Sequence, residues 1–321
     1  MSRFRALSLA SLFIVCSSYS LAEQPGAVVL KEESNHISVS IDGKPFTDYW
    51  FGKREDRPYA RPFFYPVLAA DGAAVTDDHY GQKEHPHHDS LWVGHGDVNG
   101  ANHWALEGDK TPRQQHLKFE RVEGDMFVED LEWEGTHHEP MLRERRTIRF
   151  EALGAGSRGI DFTLEFTPIS GPVTFGDTKE AGLIAIRVAK SISDHPTITT
   201  SAGVHGEGMK AEKESWGKAA DWCDLSGEVN GKEYGTAVFD SPANPRHPTR
   251  WHVRAYGLLA ANPFGLSAFD KATPKHAGDF VMTPGKPVTF RYRVIVHQGD
   301  AKAANLDEKY KQFSESVTGE K

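Results

Sequence analysis

"GIDFTLEFTP", residues 159–168, and "PVTFRYRVIVHQG", residues 287–299, decide the fold class. In the first, Ile160, Phe162, Leu164 and Phe166 alternate with Asp161, Thr163 and Glu165. Successive side chains of a strand point to opposite faces, so this period of two marks a half-buried strand. In the second, Val288, Phe290, Tyr292, Val294 and Val296 fall on one face, with Arg291, Arg293 and His297 on the other. "HISVSIDGK" (36–44), "HLKFERVEGD" (116–125), "RRTIRFEAL" (145–153), "GLIAIRVAKSI" (182–192) and "GTAVFD" (235–240) read the same way. Asp42-Gly43, Asp71-Gly72, Glu123-Gly124, Asn230-Gly231 and Pro284-Gly285 punctuate them as turns.

Helical character is confined to "DAKAANLDEKYKQFSES" (300–316), with Asp300 as its expected cap. The charged "EGMKAEKESWGK" (207–218) reads as a surface loop or short helix. The expected fold is all-β: a large antiparallel β-sandwich with a short C-terminal helix, one domain over 23–321.

The first 22 residues read as a leader. Arg3 and Arg5 precede the apolar run Ala6–Val15, and Ser20-Leu21-Ala22 suits cleavage after Ala22. Export to the periplasm or beyond is the expectation. Cys16 follows Val15, which fits lipoprotein processing poorly. Beyond Ala22 only Cys223 remains, so no intramolecular disulfide can form and the apolar core must supply stability. No segment after the leader is long and apolar enough to span a bilayer. A formal charge of −8 without a basic run argues against a nucleic-acid partner. No G-x-S-x-G elbow, phosphate loop, dinucleotide fingerprint or paired-cysteine metal motif is found.

Three stretches carry chemistry. In "KEHPHHDSLWVGHGDVNG" (83–100), Pro86 biases His85 toward extended backbone, which would place His85 and His87 on one side and His88 on the other. His85 and His87 then form a two-imidazole pincer for a divalent metal, with His205 of "GVHGEG" as a third ligand. In the competing reading, His88, Trp92, His95, Asp97 and Asn99 line a sugar-facing loop at a sheet edge, with Gly94 and Gly96 admitting a ligand. A self-hydrogen-bonded polar loop is the plain alternative.

In "NPRHPTRWHVRAYGLLAANPFG" (244–265), His252 shares a face with Arg250 and Arg254, opposite Trp251 and Val253. The face suits a carboxylate or oxyanion, or is simply solvated. In "FGDTKEAGLIAIRVAK" (175–190), Lys179 and Glu180 sit where a strand begins and offer an oxyanion stabiliser and a base, or a surface ion pair. "THHEP" (136–140) reads as an exposed hairpin tip.

Taken together, "RPFFYPVLAADGAAVTDD", "HPHHDSLWVGHGDVNG", "FGDTKEAGLIAIRVA", "WCDLSG", "NPRHPTRWHVRAYGLLAANPFG" and "FRYRVIVHQGD" resemble the secreted bacterial family known as PmoA-like, or "methane oxygenase". The blocks run from about Arg61 to Asp300 and depart from that pattern at Asp89, where a basic residue is expected. The resemblance carries no established activity. It implies an all-β sandwich similar to the large mutarotase-like sandwiches, and an association with polysaccharide-degrading bacteria.

The expected function is an exported carbohydrate-active enzyme of hydrolase, lyase or epimerase type. His88 or His252 would be the general acid–base, Glu180 the partner base and Arg254 an oxyanion or carboxylate clamp. Trp92, His95, Asp97, Asn99, Lys179 and Trp251 would hold a glycan or other small molecule. No cofactor is required. Two rivals stand beside it: a metal-dependent enzyme using His85, His87 and His205, and a non-catalytic glycan-binding or scaffold module.

Overall fold

The computed structural model describes residues 26–318; the expected leader over 1–22, with Cys16, lies outside the described residues. Among these residues the chain is a large antiparallel β-sandwich. One sheet has eight strands in the order Val28–Glu32, His36–Ile41, Lys44–Trp50, Phe63–Val67, Leu91–His95, Ala181–Arg187, Leu258–Ala261 and Trp251–Arg254. The other has nine: His205–Glu207, Thr197–Thr200, Trp222–Val229, Lys232–Asp240, Val288–Gln298, Arg158–Pro168, Pro140–Ala152, Met126–Glu134 and Gln114–Glu123.

The two diagnostic strands are neighbours in the nine-stranded sheet. Val288 lies opposite Phe166, Phe290 opposite Leu164, Tyr292 opposite Phe162 and Val294 opposite Ile160. These side chains pack in one core with Ile37, Phe64, Val93 and Ile186 of the facing sheet. A one-residue slip would turn that whole apolar row outward, which pins the register. The opposite face is less exposed than the alternation predicts. Arg293 is held by Asp161 at 2.6 Å and Glu151 at 2.9 Å, while Ile295 is roofed by Leu306 and Phe313 of the C-terminal helix Leu306–Thr318. His297 and Asp224 meet there at 2.9 Å, both fully buried.

That helix begins later than expected. Asp300 caps a separate turn by accepting the Ala303 N–H at 2.7 Å, and Asn305 at φ 52° interrupts the ladder before Leu306. The charged stretch after Glu207 forms the helix Gly208–Ser215, and its Ala211, Glu212 and Ser215 are buried. The larger surprise is Leu91–His95. Taken from the sequence as loop at a sheet edge, it is a strand buried along its whole length, inside the eight-stranded sheet. A strand covered on both faces loses the alternation that would reveal it.

Candidate functional site

Side chains on the face of the eight-stranded sheet turned away from the sandwich core form a second apolar cluster: Phe63, Trp92, Trp104, Ala185, Leu258 and Ala260, with Trp50, Tyr65 and Tyr256 against it. Strand pairing sets them in rows. Phe63 lies opposite Trp92, Trp92 opposite Ala185, Ala185 opposite Ala260, and Ala260 opposite His252. The next row runs Arg187, Leu258, Arg254. Two alanines lie between a tryptophan and a histidine in this row, and Trp104 joins the cluster from the following loop. Its ring lies 5.3 Å from Trp92 and stacks nearly parallel on His252, 6.5 Å away at 12°.

The 83–90 loop closes one side. His85 adopts a left-handed backbone at φ 52° rather than the extended form its proline neighbour favours, and the His88 N–H turns back to the His85 carbonyl at 3.0 Å. The three imidazoles therefore pack on one another: His88 is 4.8 Å from His85 and 4.7 Å from His87. His85 also stacks on Tyr256 at 4.6 Å. Asp89 explains its own departure from the expected basic residue. Its buried carboxylate receives Arg61 Nε at 2.7 Å and Arg57 Nη2 at 2.8 Å. The same Arg61 guanidinium donates to the carbonyls of His87 at 2.8 Å and His103 at 2.9 Å. One buried arginine thus ties the histidine loop to the segment carrying Trp104.

Glu180 arrives through a close backbone contact. The Gly96 N–H donates to its carbonyl at 2.6 Å, and a Cβ at Gly96 would lie 2.5 Å from that oxygen. Gly96 therefore serves strand-to-loop packing, not ligand access. Lys179 ion-pairs with Glu180 at 2.7 Å, and its carbonyl accepts a hydrogen bond from His252 Nδ1 at 2.6 Å. Because a carbonyl can only accept, Nδ1 carries the proton and neutral His252 presents Nε2 as a lone pair.

The electrostatics favour uncharged imidazoles beside a charged carboxylate. Burial pushes His252 down to about 4, against an opposing pull from Glu180. Burial likewise takes His87 down to about 4 and His88 further still. For Glu180, burial opposes ionisation, but the hydrogen bond and charge of Lys179 lead the effects that hold the carboxyl below its ordinary value. The floor is rich in donors. Trp92 Nε1, Trp104 Nε1, Trp216 Nε1 and Arg187 Nε and Nη1 are buried donors without a hydrogen-bond partner in the protein, and His88 Nδ1, donor or acceptor according to its tautomer, is likewise unmatched. A buried donor left unmatched costs about 1–3 kcal/mol, and these donors gather around the outer-face cluster.

The expected residues divide cleanly. His88, Trp92, Lys179, Glu180, His252 and Arg254 are brought to this face, and His85 and His87 form its rim. Arg254 is already engaged, ion-paired with Glu212 at 3.1 Å. Trp251 is corrected to the inter-sheet core, its indole donating to the Ala220 carbonyl at 3.0 Å. His95 is a core histidine between Phe175 and Phe264, with Nε2 donating to the Gly176 carbonyl at 3.0 Å. Asp97 accepts the Gly100 N–H at 2.8 Å, and Asn99 bonds Pro172 and Thr174; both shape a turn.

The expected ligand set of His85, His87 and His205 is not assembled. Among the described residues, no group of three or more His, Cys, Asp or Glu side chains is placed to hold a metal ion. His205 lies in the other sheet, exposed, beside Thr199 at 3.1 Å, and the left-handed turn at His85 removes the extended H-x-H geometry. Sequence reading also missed three participants. Trp104 and Trp216 gave no spacing signal, whereas Arg187, one charge ending an apolar strand, was visible as an anomaly.

The profile of the family described as "Family of unknown function (DUF6807)" matches residues 36–311, and the chain belongs to that family. No curated protein matches the sequence. Among solved structures, a GalM/aldose epimerase homologue from C. elegans is 7% identical with a TM-score of 0.36, over 85% of this chain and 99% of its own. A polysaccharide lyase is 12% identical with a TM-score of 0.31, over 87% of this chain and 34% of its own. Neither decides what this chain does. The resemblance to the PmoA-like family is corrected: the matching family is the one above, and no helix among the described residues is long and apolar enough to cross a membrane, as a membrane oxygenase subunit requires.

Proposed function

We propose that this chain is a carbohydrate-active enzyme that works by acid–base chemistry on the outer face of its eight-stranded sheet. The carrying observation is the row that ends in His252. It joins a tautomer-fixed imidazole to a floor of tryptophan rings and unmatched donors, with an ionised Glu180 at the same edge. Indole and guanidinium groups can only donate, so the complementary ligand is rich in acceptor oxygens. Aromatic walls from Tyr256 and Trp216 favour one with apolar C–H faces too. A sugar has both properties.

In this reading His252 Nε2 takes a proton from the sugar, and Glu180 stabilises the imidazolium that forms or acts as a second base. His88, neutral and without a fixed partner for Nδ1, hydrogen-bonds the substrate from the floor. Such transfers contribute about 10²–10⁴-fold to rate. The leader-like N-terminus supports action outside the cytoplasm.

The test pairs calorimetric binding with product detection by NMR, using purified protein and a panel of oligosaccharides. His252→Asn keeps a donor toward the Lys179 carbonyl but removes Nε2, and Glu180→Gln removes the charge. Each is expected to lower turnover at least about 100-fold while changing binding far less. Wild-type turnover in both variants, or a panel with neither binding nor product, defeats the proposal. Binding without turnover in the wild-type protein would make it a glycan-binding module.

A further inference from the structure

Arg187 is 8% exposed, in the row beside Trp92 and Ala185. The neighbouring arginines are accounted for: buried Arg57 and Arg61 by Asp78 and Asp89, and partly exposed Arg254 by Glu212. Arg187 has no ion-pair partner among the described residues. Its Nε and Nη1 bond nothing, and its guanidinium lies against the Tyr256 ring at 5.1 Å. The closest acidic influences, Asp77 and Glu84, act on it without making an ion pair. A buried charge that lacks a counter-charge is strongly unfavourable and is retained where something else supplies the opposite sign. The neighbours cannot. His85 and His88 are neutral or positive, and Tyr256 keeps its proton because burial raises it to about 12. With one guanidinium surrounded by neutral donors, the missing partner is a single negative charge.

We propose that Arg187, with the free indole N–H groups of Trp92 and Trp104, is the subsite for a monoanionic substituent of the sugar, a carboxylate or a sulfate ester. The inference rests on the carbohydrate reading and narrows its substrate class from neutral to acidic sugars. It places the anion beside Tyr256, one row away from His252. It also transfers to Arg187 the clamp role that the sequence assigned to Arg254.

The experiment measures calorimetric binding of glucuronate, galacturonate, glucose 6-sulfate and glucose to the wild-type protein and to Arg187→Met and Arg187→Gln. At least one acidic sugar is expected to bind at least about 30-fold more tightly than glucose, as expected for a buried charged contact. The uronates and the sulfate ester distinguish the two sources of charge. Both variants should abolish that advantage, so that the acidic sugar binds no more tightly than glucose. Without ligand, they should also unfold at a higher temperature than the wild type, because an unpaired buried charge is gone; a merely structural arginine would produce the opposite shift. Acidic sugars that bind no better than glucose, or a preference that survives both variants, overturn the anion subsite and leave the carbohydrate reading standing. Failure of all four sugars to bind the wild type defeats both.

Discussion

Removing the Asp89 carboxylate isolates one buried charge and should cost far more than an ordinary surface mutation. Arg57 would keep Asp78, which it meets at 2.9 Å. Arg61 would keep only the carbonyls of His87 and His103, because Asp89, 2.7 Å from its Nε, is its sole ion-pair partner among the described residues. The side chains of Arg61 and Asp89 are only 2% and 5% exposed, so water cannot replace the lost partner. Breaking a buried pair from one side costs about 3–5 kcal/mol. In a chain of this size each kilocalorie is worth roughly 2 °C in Tm, so Asp89→Asn should melt about 6–10 °C below wild type. The assay is thermal unfolding by circular dichroism of Asp89→Asn, Arg61→Met and the double variant. The double variant should be more stable than the sum of the single effects implies, by about 0.5–3 kcal/mol. A fall below about 2 °C for Asp89→Asn, or additivity in the double variant, would refute the claim that this pair anchors the histidine loop.

Two further outcomes follow from the same geometry. His95, His103 and His252 are buried and titrate in the folded chain at about 3, 3 and 4, held down by desolvation. The unfolded chain binds these protons first, so stability is full above pH 6.5 and is lost as pH falls toward 4, at up to about 1.4 kcal/mol per pH unit for each histidine; a Tm flat from pH 7 to 4 contradicts this. Gly96→Ala would force a Cβ against the Glu180 carbonyl. It should reduce turnover at least about tenfold through misplacement of Glu180 while adding no charge, and unchanged kinetics in the variant would exclude Glu180 from the chemistry.

What the sequence alone determined was the sandwich. The apolar alternation at 160–166 and 288–296 has a single physical solution, two antiparallel strands sharing a buried face, and the Gly-containing turns followed from backbone sterics. It also placed His88, Glu180 and His252 in three suspect stretches, because such residue types are expensive to keep in or near a core without a purpose. What only the tertiary structure decided was which of them meet. His95 and Trp251 carry the same chemistry as His88 and Trp92, yet pairing and strand phase turn the first two into the sandwich core and the second two onto the outer face. The counter-charges were equally hidden. Arg254 looked free and is bound by Glu212, 42 residues earlier, whereas Arg187, the lone charge ending an apolar strand, is left unpaired. Charge pairing and register both depend on contacts between segments far apart in the chain, and local sequence pattern does not encode them.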